Sequence, residues 1–565
     1  MLRKPLLGLL LTCCVGVASA AVEVITESKD GDHIRGDFSL RATVRSDNLV
    51  TKVELYVGEQ LRDSKTSTPY VFALDTLAES EGPFTVKLVA YTSEGEKGTK
   101  TLTLNIDNEL GKGLAYHIGK GNDALTVKNW GEAVMYGRTA LKVKAKDASA
   151  LLLLARANYG KGTYDLAEKF AQDVLEQDKS NIQALQMVSA VNLKKAFRGF
   201  TQSSPEEARA AIGEALKGAA KAGRAINEAS VEKTPLRPAG GDVKGWADSL
   251  LRAGRYSLVA DGLKDAFEQN VKDNVVASRL LFALIRSSRM TAAMEVVDKL
   301  KRRGAPDGYT SSLIAVAYQT VGDTMNSTAA EKQAMLGDPD NLGVQYASAY
   351  LAVLREKAAN LGPILDSIEK VDPSGPIVNS YMSTRLYLLS DYSGSQQRFE
   401  TAIMADPGNS DVLIEKGRQI VDGALSERPL ASDATDEEKD HAKQLKADRL
   451  ANALVYFEAA IEAKPDSAEA LAGLALVHGM LGHADQTLAF GQAAANAAKT
   501  YQVGQLAYAV GLRGKGRIAE SSKALEAAAK LDARVRGRTA DATVVWRAYA
   551  LYGRTMFVPA PGASR

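Results

Sequence analysis

Cysteine is almost missing from this chain: of 565 residues only Cys13 and Cys14 are cysteine, and both fall within the first twenty positions. Beyond them the sequence offers no disulfide, no thiolate nucleophile and no cysteine-based metal site. Histidine is scarce too, at five: His33, His117, His441, His478 and His483. The last two suggest a metal pair at first sight. A five-residue spacing, however, sets them on different faces of a helix, and His478 takes a position suited to packing, so no metal site is expected. The stretch Asp338-Pro339-Asp340-Asn341 carries oxygen ligands but lacks the rest of a calcium-binding loop, and reads as a turn. No HExxH, GxSxG, P-loop or Gly-rich dinucleotide fingerprint occurs. The composition thus points away from an enzyme, and no cofactor is called for.

Excess charge is also lacking. Lysine and arginine number 70 against 68 acidic residues, and setting aside Arg3 and Lys4 makes the two equal. A balanced chain argues against general nucleic-acid binding and against electrostatic attachment to a membrane. After residue 20 no apolar run approaches the ~20 residues that a spanning helix needs.

Residues 1–20 have the form of a secretory signal peptide. Arg3 and Lys4 precede an apolar run from Leu6 to Val17, followed by Ala18-Ser19-Ala20 as cleavage site. A membrane anchor is the rival reading, but the run is short. Leu10-Leu11-Thr12-Cys13 faintly suggests a lipobox, which Thr12 disfavours. The expected location is extracytoplasmic: periplasmic or secreted, with cell-surface association open.

From 21 to 107 polar and apolar residues alternate. Phe38–Arg45, Lys52–Val57, Phe84–Tyr91 and Thr99–Asn105 carry the period of half-buried strands, and six or so short strands in this span suggest a small all-β sandwich. Val53-Glu-Leu-Tyr-Val-Gly58, Pro69-Tyr70, Gly82-Pro-Phe-Thr-Val86 and Ala90-Tyr-Thr-Ser-Glu-Gly95 resemble bacterial immunoglobulin-like domains. Such a resemblance implies a spacer, a docking module or a glycan-contacting module. Arg35-Gly36-Asp37 spells an adhesion tripeptide but reads as the entry to a strand. Residues 108–113 follow as a short linker.

The remainder has a different period. Asp338-Pro339, Asp372-Pro373 and Asp406-Pro407 lie 34 residues apart, and a fixed period of that length marks a helical repeat. Windows starting at 240, 274, 308, 342 and 376 each read as helix, turn, helix, with Ala247, Leu281, Ala315, Ala349 and Ser383 near the eighth place. The register continues at 114 and 148 through Trp130-Gly-Glu-Ala133 and Tyr164-Asp-Leu-Ala167, and at 468 and 502. Tyr318, Gly322, Pro339, Tyr392, Phe399, Ala402 and Pro407 resemble the tetratricopeptide repeat (TPR). The fold class implied is mainly α: a TPR-type α-solenoid of about ten helix-turn-helix units, preceded by the immunoglobulin-like sandwich. Repeats with a long-helix insertion occupy 114–239, five contiguous repeats 240–409, and repeats with a second insertion 410–535. Residues 536–565 form a capping helix and tail. The insertions open on Ser204-Pro-Glu-Glu207 and Thr435-Asp-Glu-Glu438, which read as capping boxes. Their long helices serve either as tolerated additions on a solvated face or as docking elements.

The TPR resemblance also implies a concave face lined by the first helix of each window, with places 2, 5, 6, 9, 12 and 13 pointing inward. Those places hold Arg279, Phe282, Arg286, Tyr309, Tyr346, Tyr350, Tyr381, Thr384 and Tyr387. Tyrosine and arginine combine large contact area with polar tips, which suits a ligand groove. The same tyrosines at helical spacing also suit inter-helix packing. The leading functional expectation is a non-catalytic exported scaffold that binds a protein or peptide partner of the cell envelope in this groove. The alternative is a polysaccharide-associated envelope module whose tyrosines stack on sugar rings.

Overall fold

The computed structural model describes residues 22–198, 204–238, 242–304, 306–355, 358–426 and 434–561. The signal peptide read at 1–20 and residues 427–433 lie outside the described residues. Contacts divide the chain into two compact units, with the boundary between Leu166 and Ala167.

The first unit begins with eight strands: β1 (Glu23–Thr26), β2 (His33–Ile34), β3 (Asp37–Arg45), β4 (Val50–Val57), β5 (Gln60–Lys65), β6 (Tyr70–Asp75), β7 (Gly82–Thr92) and β8 (Lys97–Ile106). They form a sheet of order β1-β3-β6 and a sheet of order β2-β8-β7-β4-β5. Strand alternation sends Leu40 and Phe72 of the first sheet, and Val53, Leu55, Val86, Leu88 and Leu104 of the second, into one fully buried core. The strand count exceeds six because β2 is two residues long and β5 is polar almost throughout, so neither carries a periodic signal. Asn108 opens the stretch expected as a linker, yet it is buried. Its Oδ1 accepts from Gly36 N and Thr76 Oγ1, both at 2.9 Å. The tripeptide Arg35-Gly36-Asp37 is engaged internally: Gly36 has φ +59° with Met135 against it, and Asp37 pairs with Arg138 at 2.8 Å. Helices Gly113–Thr126, Trp130–Val143 and Ala148–Lys161 complete this unit.

Among the described residues the chain forms 23 α-helices: eleven consecutive pairs, one more than the expected ten or so, and a final helix Ala542–Tyr552. First helices begin at 113, 148, 182, 243, 274, 308, 342, 376, 410, 468 and 502. Side-chain caps fix several of these starts: Asp273, Asn341, Asn409 and Ser467 each accept from amides of the first turn. The eighth-place residues are buried because helices cross closely there. In the second unit the Ala315 carbonyl accepts from Ser327 Oγ at 2.7 Å and that of Ala509 from Ser521 Oγ at 2.8 Å. A large side chain at these crossings would hold the helices too far apart for such bonds.

Within the second unit the two long helices, Pro205–Val231 and Asp436–Ala463, pack on one another. Thr435 and Glu438 complete a reciprocal capping box, while Ser204 caps its helix through Glu207 N. Arg209 donates to Asn452 Oδ1 at 2.8 Å and pairs with Asp448 at 3.3 Å. Gly223 meets the turn at Pro407-Gly408 so closely that a Cβ would lie 2.2 Å from Gly408 N. Repeats far apart in sequence therefore touch, as Arg286 and Asp411 do at 2.7 Å and Arg534 and the Thr320 carbonyl do at 2.7 Å.

Candidate functional site

Inward places of several first helices of the second unit gather around the chain's own final helix and the segment after it. Trp546 donates to Asp422 Oδ1 at 2.7 Å, and Tyr549 donates to the Glu469 carbonyl at 3.1 Å. Residues 553–561 then run without helix or strand, although Met556, Phe557 and Val558 are buried. A buried extended segment must find partners for its carbonyls, and four side chains of the groove supply them, with a fifth at the end of the preceding helix. Gln502 donates to Tyr552 O (2.8 Å) where the final helix ends, and within the segment Tyr501 donates to Gly553 O (2.7 Å), Tyr350 to Arg554 O (3.0 Å) and Tyr381 to Phe557 O (2.8 Å). Arg286 completes the set by donating to Met556 O.

The segment's side chains are held as well. Arg554 places one guanidinium nitrogen 2.6 Å from both oxygens of Glu415, and Thr555 N donates to Glu469 Oε2 at 3.1 Å. Phe557 meets the Tyr381 ring edge-on at 5.1 Å. Arg418 lies beneath, 2.6 Å from Glu469 and 3.3 Å from Glu415, its guanidinium 4.0 Å from the centre of the Tyr549 ring. Burial raises the Glu469 carboxyl above the ordinary range despite the Arg418 charge, and it also raises the phenols of Tyr350, Tyr381 and Tyr501. These tyrosines therefore remain neutral donors.

The expected groove residues separate into three sets. Arg286, Tyr350 and Tyr381 bond to the segment's main chain directly. Phe282 and Tyr346 line a cavity of about 480 Å³ beside Val558, Pro559 and Ala560, with Arg252, Tyr256 and Lys464 on its other walls; Tyr346 donates to Asp372 at 2.8 Å. Arg279 and Tyr309 border a smaller space of about 180 Å³ with Pro559, Ala560 and Pro561, and Arg279 is paired to Asp248 at 2.7 Å. Tyr387 is not brought to the segment. It lies at the end of its helix, where its ring meets Tyr392 edge-on at 5.2 Å and its hydroxyl packs against Gly423. Thr384 bonds back to the Ser380 carbonyl of its own helix.

Residues 23–104 match the bacterial Ig domain family. The chain thus joins a segment that matches bacterial Ig domains to a run of eleven helix pairs. Similar solved structures include the fibronectin(III)-like modules of Clostridium thermocellum CbhA, 29% identical, covering 15% of this chain and 93% of theirs at a TM-score of 0.14. Yeast Tom70 is 14% identical, covering 77% of this chain and 94% of its own at 0.35. The APC/C hetero-tetramer Cut9–Hcn1 is 12% identical, covering 78% and 96% at 0.34. No curated protein matches the chain.

Several groove residues of this helical unit were not anticipated: Asp411, Glu415, Arg418, Glu469, Tyr501 and Gln502. The signal for four of them was present. Continuing the 34-residue register to a window at 410 puts Asp411, Glu415 and Arg418 at inward places 2, 6 and 9, and Glu469 takes place 2 of the window at 468. The insertion in that repeat hid the continuation. The histidine geometry also differs from expectation. His483 precedes the next helix instead of sharing one with His478, so their Nδ1 atoms lie 3.0 Å apart, and burial and His483 lower His478 to about 4. Among the described residues no three metal-ligating side chains gather, and no helix is long and apolar enough to cross a membrane.

Proposed function

We propose that this protein is an exported, non-catalytic scaffold whose concave TPR groove binds an extended segment of a protein partner. The observation that carries the reading is the set of four groove side chains, Tyr501, Tyr350, Arg286 and Tyr381, donating to the carbonyls of Gly553, Arg554, Met556 and Phe557 in an extended peptide chain. Donors aimed at main-chain carbonyls recognise polypeptide whatever its sequence, and the flanking side-chain contacts add selectivity. Export is supported by the signal-like residues 1–20 and by the bacterial Ig match. The partner then belongs to the cell envelope or the extracellular space. A polysaccharide role for the groove has less support, because stacking needs open ring faces and Tyr346, Tyr350 and Tyr381 are no more than 3% exposed.

Photo-crosslinking in intact cells tests this, with the reactive residue placed at Arg252 or Lys464 on the wall of the larger cavity. Discrete protein adducts are expected. Adducts to glycan alone, or none in producing cells, would overturn the reading.

A further inference from the structure

We propose that residues 553–561 are an exchangeable occupant of the groove, and that the partner segment which replaces them carries a basic residue followed three positions later by an aromatic one. This rests on the reading of the groove as a peptide site and specifies the peptide. Charge supplies the first requirement. Around the segment Glu415, Glu469 and Asp411 face Arg418 and Arg286, and Arg554 supplies the remaining positive charge. A groove vacated by Arg554 leaves three carboxylates facing two guanidinium groups, with Glu415 keeping only the longer contact to Arg418, 3.3 Å away. A buried charge without its partner is strongly unfavourable, so an occupant must bring a cation to Glu415. The second requirement comes from Tyr381, which donates to the Phe557 carbonyl and faces the Phe557 ring at the same time. An aromatic side chain there satisfies both halves of the contact.

Exchange is favoured by how the segment is held. It belongs to no helix or sheet, and its carbonyls bond to side chains of the groove, so it can be released contact by contact while the repeats stay folded. The cavity of about 480 Å³ beside Val558 gives an incoming chain room to begin. Unlike the final helix, whose Trp546 and Tyr549 anchor it, the segment has a replaceable sequence of contacts.

The test uses the full chain and a fluorescein-labelled peptide of sequence Gly-Arg-Thr-Met-Phe-Val-Pro-Ala-Pro, copied from 553–561. Arg554→Ala combined with Phe557→Ala weakens the tethered occupant, so by anisotropy this variant is expected to bind the peptide at least about tenfold more tightly than wild type. Alanine for the peptide's arginine or phenylalanine is expected to remove that gain. A folded variant that ignores the peptide, or binds all versions equally, would overturn the proposal. If the variant does not fold, hydrogen exchange on wild type decides. Amides 554–558 are expected to exchange at least about tenfold faster than those of Pro376–Leu388 and Ser410–Leu425. Exchange at one common rate would make the segment a fixed part of the core and end the proposal. Arginine- and phenylalanine-dependent peptide binding without any protein adduct in cells supports the selectivity while removing the scaffold reading. Adducts without that dependence do the reverse.

Discussion

Lys416 illustrates how single residues in this solenoid are set against their surroundings. It is buried on Ser410–Leu425 with its ammonium 5.3 Å from the centre of the Phe399 ring, and burial lowers its pKa to about 8. An unfolded lysine keeps its proton up to its ordinary range near 10.5. Between these values the unfolded chain binds more protons, so stability rises with pH across the window, and below about 8 the whole cost is carried. Lys416→Met is therefore expected to stabilise the protein at pH 7 by on the order of 3 kcal/mol, discounted for partial hydration. Urea denaturation at pH 7 and 9.5 should show the gain shrinking at the higher pH; an equal gain at both would refute it. At this scale the sequence was partly legible. Tyr350 and Tyr381 were placed on the concave side by register alone. Tyr387 satisfied the same register, but Gly423 leaves room for its hydroxyl, and that is a contact between neighbouring repeats which no single window reveals.

At the scale of elements, the long helices are more firmly built in than either expectation allowed. Pro205–Val231 neither lies on a solvated face nor awaits a partner: part of it rests on Asp436–Ala463 and on the turn at Pro407-Gly408. Gly223→Ala distinguishes these views by its sign. On a free helix alanine gains about 1 kcal/mol over glycine. Here the added carbon meets backbone, so thermal denaturation is expected to show a net loss, and a rise in Tm would mean that the helix is not docked there. The eighth-place pattern was legible at Ala247, Ala315, Ala349 and Ser383, because a small residue recurring at the 34-residue period reports a close crossing, while Leu281 departs from it. Ala349, wholly buried, follows it. Ala349→Leu is expected to cost about 1–3 kcal/mol by overpacking, measured by urea denaturation, and a change below the error of that measurement would contradict the crossing.

The second unit taken whole departs from a simple repeat array. In a linear stack each repeat meets mainly its neighbours, and damage stays local. Arg286–Asp411, Arg534–Thr320, Trp546–Asp422 and the paired long helices tie distant repeats together. Hydrogen exchange on Ala349→Leu should accordingly show protection falling in helices 274–286, 410–425 and 542–552 together; loss confined to 342–371 would restore the linear picture. Periodicity could not forecast this closure, because it describes the step from one repeat to the next and is silent on which distant repeats meet. Nor did residues 553–561 announce themselves. Met556-Phe557-Val558 is too short a run for any period, and the segment around it is held by donors contributed from four separate places in the chain, Arg286, Tyr350, Tyr381 and Tyr501.

The groove as a peptide site is tested most directly by a thiol at its centre. With Cys13 and Cys14 replaced by serine, Met556→Cys puts the chain's one reactive thiol on a residue that is 2% exposed and whose carbonyl accepts from Arg286. Maleimide labelling is expected to be slow in the free protein and to accelerate at least about tenfold when the crosslinked partner, or a peptide of its contacting segment, is added. A partner that binds at full strength while the thiol stays protected would place its site outside the groove.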